Sequence, residues 1–448
     1  MSKLSPKDVH PILRKHMLAD GLEIVFDLEK SHGIHIYDAL EGKTYLDFFT
    51  CFATSPIGYN HPKMTTPEFK RKLAQVAVNK PSNSDVYSLE MAEFVDTFSR
   101  IAMPDSLPHL FLIEGGALAV ENALKVAFDW KVRRNFEKGH QGEKGSKVIH
   151  FVEAFHGRTG YTLSMTNTSD PRKYLYFPMF DWPRVINPKM TFPLNEKNLG
   201  EVEQAEQEAV SQIKKAVENN PDDIAALIIE PIQGEGGDNH FRNEFFVQLR
   251  QLADELDFLL VYDEVQTGIG LTGKMWAFGH FDAVPDVVAF GKKTQVCGIM
   301  AGTRIDEVED NVFAQPKRIM STWGGNIVDM VRCQKYLEII DEENLVENAR
   351  LMGDSLLKEL QELEKDFPDV VSNARGRGLF CAFNLPSSEI RDGFRKDAFR
   401  KGLVLLGCGE NAIRFRPPLN VTQDELDQGL DIIRKSLRQI SVANIPHK

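Results

Sequence analysis

The sequence predicts an α/β protein: a large domain with a mostly parallel central sheet, and a smaller α+β domain assembled from both termini. Two observations carry this reading. Apolar runs rich in Val, Leu and Ile alternate with segments of helical periodicity through the middle of the chain. That is the pattern of strands buried on both faces and joined by crossover helices. The two ends lack this alternation, and 448 residues suffice for two or three domains. The expected division is an N-terminal part of the small domain over 1–65, the large domain over 66–328, and the C-terminal part of the small domain over 329–448.

The elements follow in order. His32 to Asp47 reads as short strands around the turn Ala39-Leu-Glu-Gly-Lys43, with His32 and His35 on opposite faces of a strand. Leu110–Ile113 is a predicted strand and Ala117–Asn135 a helix; Lys147–Val152 is a strand, Glu201–Glu218 a polar helix, and Ala225–Ile229 a strand. Asn243 is expected to cap a helix whose Phe245, Phe246, Leu249, Leu252, Ala253 and Leu256 recur at helical spacing. Gly139–Ser146 and Phe177–Asn198 carry the densest loop signals. Long amphipathic helices follow Asn326, and Thr422-Gln-Asp-Glu425 is a capping box that opens the last helix.

Composition narrows the function classes. A formal net charge of -12 argues against a nucleic-acid partner. No apolar stretch approaches the roughly 20 residues needed to span a bilayer, and Met1–His10 lacks the apolar core of a signal peptide. Five scattered cysteines without a CxxC pair suit a reduced cytoplasm better than a disulfide framework or zinc site.

The strongest chemical signal is a pair of buried strands. Leu259-Leu-Val-Tyr-Asp-Glu-Val-Gln-Thr-Gly268 delivers Asp263 to one strand end, and Asp286-Val-Val-Ala-Phe-Gly-Lys-Lys293 delivers Lys292 to another. Ligands of parallel sheets sit at the carboxyl ends of the strands. An acid and an amine at one such site are what pyridoxal phosphate chemistry needs: a lysine to bond the cofactor and an acid for its pyridine nitrogen. Weaker signals surround this pair. Glu114-Gly-Gly-Ala117 links a strand to a helix, and is either a phosphate-binding helix start or a tight turn. Ala154-Phe-His-Gly-Arg-Thr159 brings a ring, an imidazole and a guanidinium to one loop, as site groups or as structural and surface ones. Glu230-Pro-Ile-Gln-Gly-Glu-Gly-Gly-Asp238 places acids after a buried strand, where ion pairs and site residues both occur. Arg414-Phe-Arg416 presents two guanidinium groups suited to carboxylates, or solvated. Gly268-Ile-Gly-Leu-Thr-Gly-Lys274 approximates a P-loop but continues with Met275 where Ser or Thr must hold magnesium. Neither an HExxH zinc motif nor a GxSxG elbow occurs, so no metal site is expected.

In sum these pieces resemble the class III aminotransferases, pyridoxal-phosphate enzymes of fold type I. The likeness runs from Asp38–Asp47 through Gly58-Tyr-Asn-His-Pro62 to Arg414-Phe-Arg-Pro-Pro418, and includes Ser321-Thr-Trp-Gly-Gly-Asn326. Through Asn79–Ser88, Glu114–Lys125 and Ala289–Gly298 it is strongest to members that take the ε-amino group of L-lysine, with 2-oxoglutarate as acceptor. Members acting on 4-aminobutyrate or ornithine come next. The class often has Ser-Gly-Ala-Glu where this chain has Gly115-Gly-Ala-Leu118, and often Arg where it has Leu271.

The resemblance implies pyridoxal 5'-phosphate bound to Lys292, which follows the small residue Gly291. Period-two alternation would turn the neighbouring Lys293 to the other face. It further implies Asp263 at the pyridine nitrogen, Gln266 at the phenolic oxygen, Phe155 stacked on the ring with His156 packed nearby, and the N–H groups of Gly116 and Ala117 on the phosphate. Thr322 would reach the phosphate of the partner subunit in a cytoplasmic homodimer with shared sites. Arg158 would hold the distal carboxylate of either substrate and Arg414 the proximal carboxylate of 2-oxoglutarate. Glu235 would cover Arg414 while lysine reacts.

Overall fold

The computed structural model describes residues 4–443. His35–Asp38 (β1) and Lys43–Asp47 (β2) form a hairpin. His109–Ile113 (β3), Lys147–Phe151 (β4), Arg184–Val185 (β5), Ile224–Ile229 (β6), Leu259–Asp263 (β7), Val287–Phe290 (β8) and Cys297–Ala301 (β9) build a seven-stranded sheet in the order β3-β9-β8-β7-β6-β4-β5. Only β9 is reversed, pairing antiparallel with both β3 and β8. Ser372–Arg377 (β10), Phe380–Asn384 (β11), Leu403–Val404 (β12), Leu406–Cys408 (β13) and Ala412–Phe415 (β14) follow. Of these, β10-β11-β14-β13 make an antiparallel sheet, while β12 pairs parallel with β2 and so ties the C-terminal part to the N-terminal hairpin.

The continuous apolar runs are strands because both sheet faces are covered. Every residue of β6, β7 and β8 is buried. Their side chains alternate between two cores: Leu227, Leu260, Tyr262 and Val288 on one face, Ala226, Val261, Val287 and Ala289 on the other. The helix Gly116–Glu137 lines the second face with Ala119, Ala123 and Ala127, small residues that let it lie close, and with the large ring of Trp130. The helix Asn243–Glu255 lines the first, where Phe246 packs on Tyr262 and Phe281.

Three local expectations fail. Asn243 is the first helical residue rather than the cap, and its side chain instead bonds the backbone and carboxylate of Asp282. His32 and His35 do not diverge: His32 lies outside β1, and the two rings stack at 5.2 Å because the chain turns between them. The stretch expected to be loop from Phe177 to Asn198 contains the edge strand β5, too short to show a period, and the start of the helix Glu196–Asn219. The capping box at Thr422 forms: Glu425 accepts from the Thr422 N–H at 2.8 Å, and Thr422 Oγ1 accepts from the Glu425 N–H at 3.3 Å.

Candidate active site

The carboxyl ends of β4, β6, β7 and β8 converge on a cavity of about 320 Å³. Gly116, Ala117, Phe155, His156, Arg158, Glu230, Glu235, Asp263, Gln266 and Lys292 all line it. Parallel pairing puts these chain ends on one edge, so residues far apart in sequence meet there.

Asp263 ends β7. One of its oxygens accepts from the Val265 N–H at 3.0 Å, and the other lies 2.8 Å from His156 Nδ1. His156 is thus more than a neighbouring ring. Both groups are buried, and the hydrogen bond orients the carboxylate. His156 Nε2 is buried with no partner. Glu230 directly follows β6 and accepts from the N–H groups of Phe155 and Gly234, both at 2.9 Å, so it ties the Phe155 loop to the sheet. Burial pushes its carboxyl up, His156 opposes this, and Asp263 adds to it.

Lys292 lies two residues beyond β8, in a turn at Lys292–Thr294 with φ of 53°. Strand alternation therefore does not separate the two lysines, since neither is in the strand; the turn does. Lys292 faces the cavity. Lys293 turns inward and donates to the Gln266 carbonyl at 2.6 Å. Burial, with Arg414 adding to it, brings the Lys292 amine down to about 8.

A second group of charges stands at the cavity's other side. Arg414, on β14, is buried and donates to Glu235 Oε2 at 2.7 Å. Phe52 covers its guanidinium at 5.7 Å. The second oxygen of Glu235 accepts from Lys173 Nζ at 2.6 Å. Burial alone would raise the Glu235 carboxyl, but Arg414 and Lys173 together hold it below its ordinary value. Arg416 is not solvated: it forms a buried two-point pair with Asp238 at 2.6 and 2.9 Å and lies over the Phe380 ring. Gln266 Oε1 accepts from Arg416 Nη2 at 3.0 Å, so Gln266 first of all fixes the arginines. Arg158 is exposed at the cavity mouth. Thr322 is exposed too and does not line this cavity.

The sequence left Lys173 and the bond between His156 and Asp263 unseen, and left Glu230 and Asp238 undecided. Lys173 lies 62 residues from Glu235 in a loop with no period, so no spacing announces it. Two acids in a short Gly-rich loop and two alternate arginines, on and just past a strand, were the available signal for the pair Asp238–Arg416.

The cavity fits pyridoxal 5'-phosphate. The helix Gly116–Glu137 starts at its wall with no acid in the first turn, so its free N–H groups and dipole favour an anion. Gly116 must be glycine: a Cβ there would sit 2.8 Å from Val265 Cγ1. A Cβ on Gly157 would sit 2.5 Å from that of Ala117. The oriented acid and the amine complete the pair that such a cofactor requires.

A class of protein follows from this arrangement. The family model for class-III aminotransferases matches residues 17–437, and the chain belongs to that family. L-lysine-epsilon aminotransferase of Mycobacterium tuberculosis is 52% identical over 97% of this chain and 96% of its own length. That of Amycolatopsis lactamdurans is 48% identical over 96% of each. The structure of the lysine aminotransferase from M. tuberculosis in the internal aldimine form superposes with a TM-score of 0.95, covering 98% of this chain and all of that one.

Proposed function

We propose that the chain is an L-lysine 6-transaminase. It moves the ε-amino group of L-lysine to 2-oxoglutarate, giving L-glutamate and 2-aminoadipate 6-semialdehyde, which cyclises to 1-piperideine-6-carboxylate. The observation that carries this reading is the buried Arg414 already paired with Glu235 inside the cavity of Asp263 and Lys292. Near-full-length likeness to lysine-epsilon aminotransferases supports it.

Pyridoxal 5'-phosphate bound at Lys292 supplies an electron-accepting ring that stabilises negative charge on a substrate carbon. Asp263, aimed by His156, holds a proton at the ring nitrogen. Lys292 would take the proton from the reacting carbon and deliver it to the cofactor carbon on the far side of the intervening nitrogen. Burial lowers that amine in the cofactor-free cavity, the direction that suits a base that must later act as an acid.

The two half-reactions make opposite demands. Lysine presents its ε-amine and keeps its carboxylate far from the chemistry, at Arg158. 2-Oxoglutarate needs a second cation beside the reacting carbon, and Arg414 provides it. In the lysine half Glu235 keeps Arg414 neutralised, because an unpaired buried guanidinium would be costly. In the other half the incoming carboxylate replaces Glu235.

The reading extends to a cytoplasmic homodimer in which Thr322 reaches the partner's site. Exposed Trp323, Met320, Val86 and Tyr87 support a covered surface there, and five free cysteines suit a reducing compartment. The test is a donor panel of L-lysine, L-ornithine and 4-aminobutyrate with 2-oxoglutarate, reading glutamate formation. Lysine is expected to lead; a lead by either rival overturns the donor assignment.

A further inference from the structure

Glu235 is held by two cations of different origin. Arg414 comes from the antiparallel sheet of the C-terminal part, and Lys173 from the loop that follows the helix Gly160–Met165. Each takes one carboxylate oxygen, at 2.7 and 2.6 Å. Lys173 closes a short turn, Pro171–Lys173, whose preceding Asp170 accepts from the Arg172 N–H and pairs with its guanidinium at 2.8 and 2.9 Å. Thr168, buried beneath, is 3.4 Å from Lys173 Nζ. The ammonium is therefore carried by a braced turn, and the Lys173 side chain is only 16% exposed. Beyond it opens a second, polar cavity of roughly 480 Å³, shared by Lys173, Glu235, Arg391 and Arg395.

We propose that Lys173 is a positioning residue that receives the Glu235 carboxylate when 2-oxoglutarate claims Arg414. This rests on the lysine 6-transaminase reading above. With lysine bound, Glu235 stays shared between both cations, as in the free enzyme, so Lys173 changes little between those two states. With 2-oxoglutarate bound, Arg414 exchanges one carboxylate for another and stays neutral. Glu235 loses its partner, and without Lys173 it would be a half-buried, unpaired anion. With Lys173 it keeps a full ion pair and has a polar cavity to turn into. Lys173 thus lowers the free energy of the acceptor-bound state selectively.

The signature is a split between the half-reactions, opposite in sign for the two partners of the pair. Lys173→Met should raise the ratio of the lysine to the 2-oxoglutarate half-reaction constants about tenfold, the size expected for a partly buried ion pair. Glu235→Gln should lower the same ratio. Lys173→Arg, which keeps the charge, should restore most of it. The measurement is single-turnover absorbance of the holoenzyme, with L-lysine in one series and 2-oxoglutarate on the amino form of the enzyme in the other. Equal losses in both halves for Lys173→Met, or no loss in either, overturn the proposal, as does failure of the arginine variant to rescue. If the unsubstituted enzyme does not turn over lysine at all, the donor reading fails instead, a different outcome from either.

Discussion

Replacing Glu235 with Ala isolates the electrostatic problem that one cavity must solve for two substrates. Arg414 is 2% exposed and Glu235 25%, at 2.7 Å. A hydrogen bond to a charged partner in such a setting contributes about 1.5–3 kcal/mol, or roughly 10–100-fold in an equilibrium constant. The pair is present in the free protein and, on the proposed gate, in the lysine complex as well, so its loss cancels between them at first order. What the lysine half loses is exclusion: an open Arg414 attracts the α-carboxylate of lysine and holds the substrate wrong end first. The 2-oxoglutarate half loses nothing of that kind, since it no longer has to break the pair. The ratio of lysine to 2-oxoglutarate half-reaction constants should therefore fall by about 10–100-fold. Stopped-flow absorbance with L-lysine on the resting holoenzyme, and with 2-oxoglutarate on its amino form, reads both constants directly. A ratio within about twofold of the parent would refute the reasoning, whatever happened to overall activity.

Other outcomes follow from the same geometry. In cofactor-free protein the Lys292 amine should be charged below about 8 and neutral above it, so its reductive labelling rises with pH through that midpoint; a midpoint at the ordinary 10.5 would show that burial beside Arg414 does not act. Arg416→Met strands the fully buried Asp238 and should cost about 3–5 kcal/mol of unfolding free energy in urea denaturation; a change below about 1 kcal/mol would show that Asp238 is not left as an uncompensated buried charge. Gly116→Ala puts a Cβ 2.8 Å from Val265 and should weaken cofactor binding about tenfold in a spectroscopic titration, and unchanged affinity would remove the helix start from the phosphate site.

Much of this was readable before any coordinates. β6, β7 and β8 announce themselves because strands covered on both faces must be apolar throughout. Asp263 and Lys292 are legible for the same reason: a charged group ending such a run has few places to be other than the sheet's edge. Elements without a period were the ones missed. β5 is two residues long, and the turn carrying Lys173 has only loop composition. Lys292 lines the cavity and Lys293 does not, but strand periodicity is not what separates them, since a backbone φ of 53° at Lys292 lies outside what it describes.

The chain's own order of residues settles the α/β class and the cofactor chemistry, and it offers charged candidates for the site, though not Lys173. Each follows from local pattern: apolar runs, glycines at a helix start, an acid and an amine at strand ends. Folding decides how those charges are shared. His156 orients Asp263 across 107 residues, Gln266 braces Arg416 across 150, and Glu235 stands between Lys173 and Arg414, 62 residues from one and 179 from the other. Ion pairing depends on separation in space and on exclusion of water, and neither is a property of neighbours along the chain.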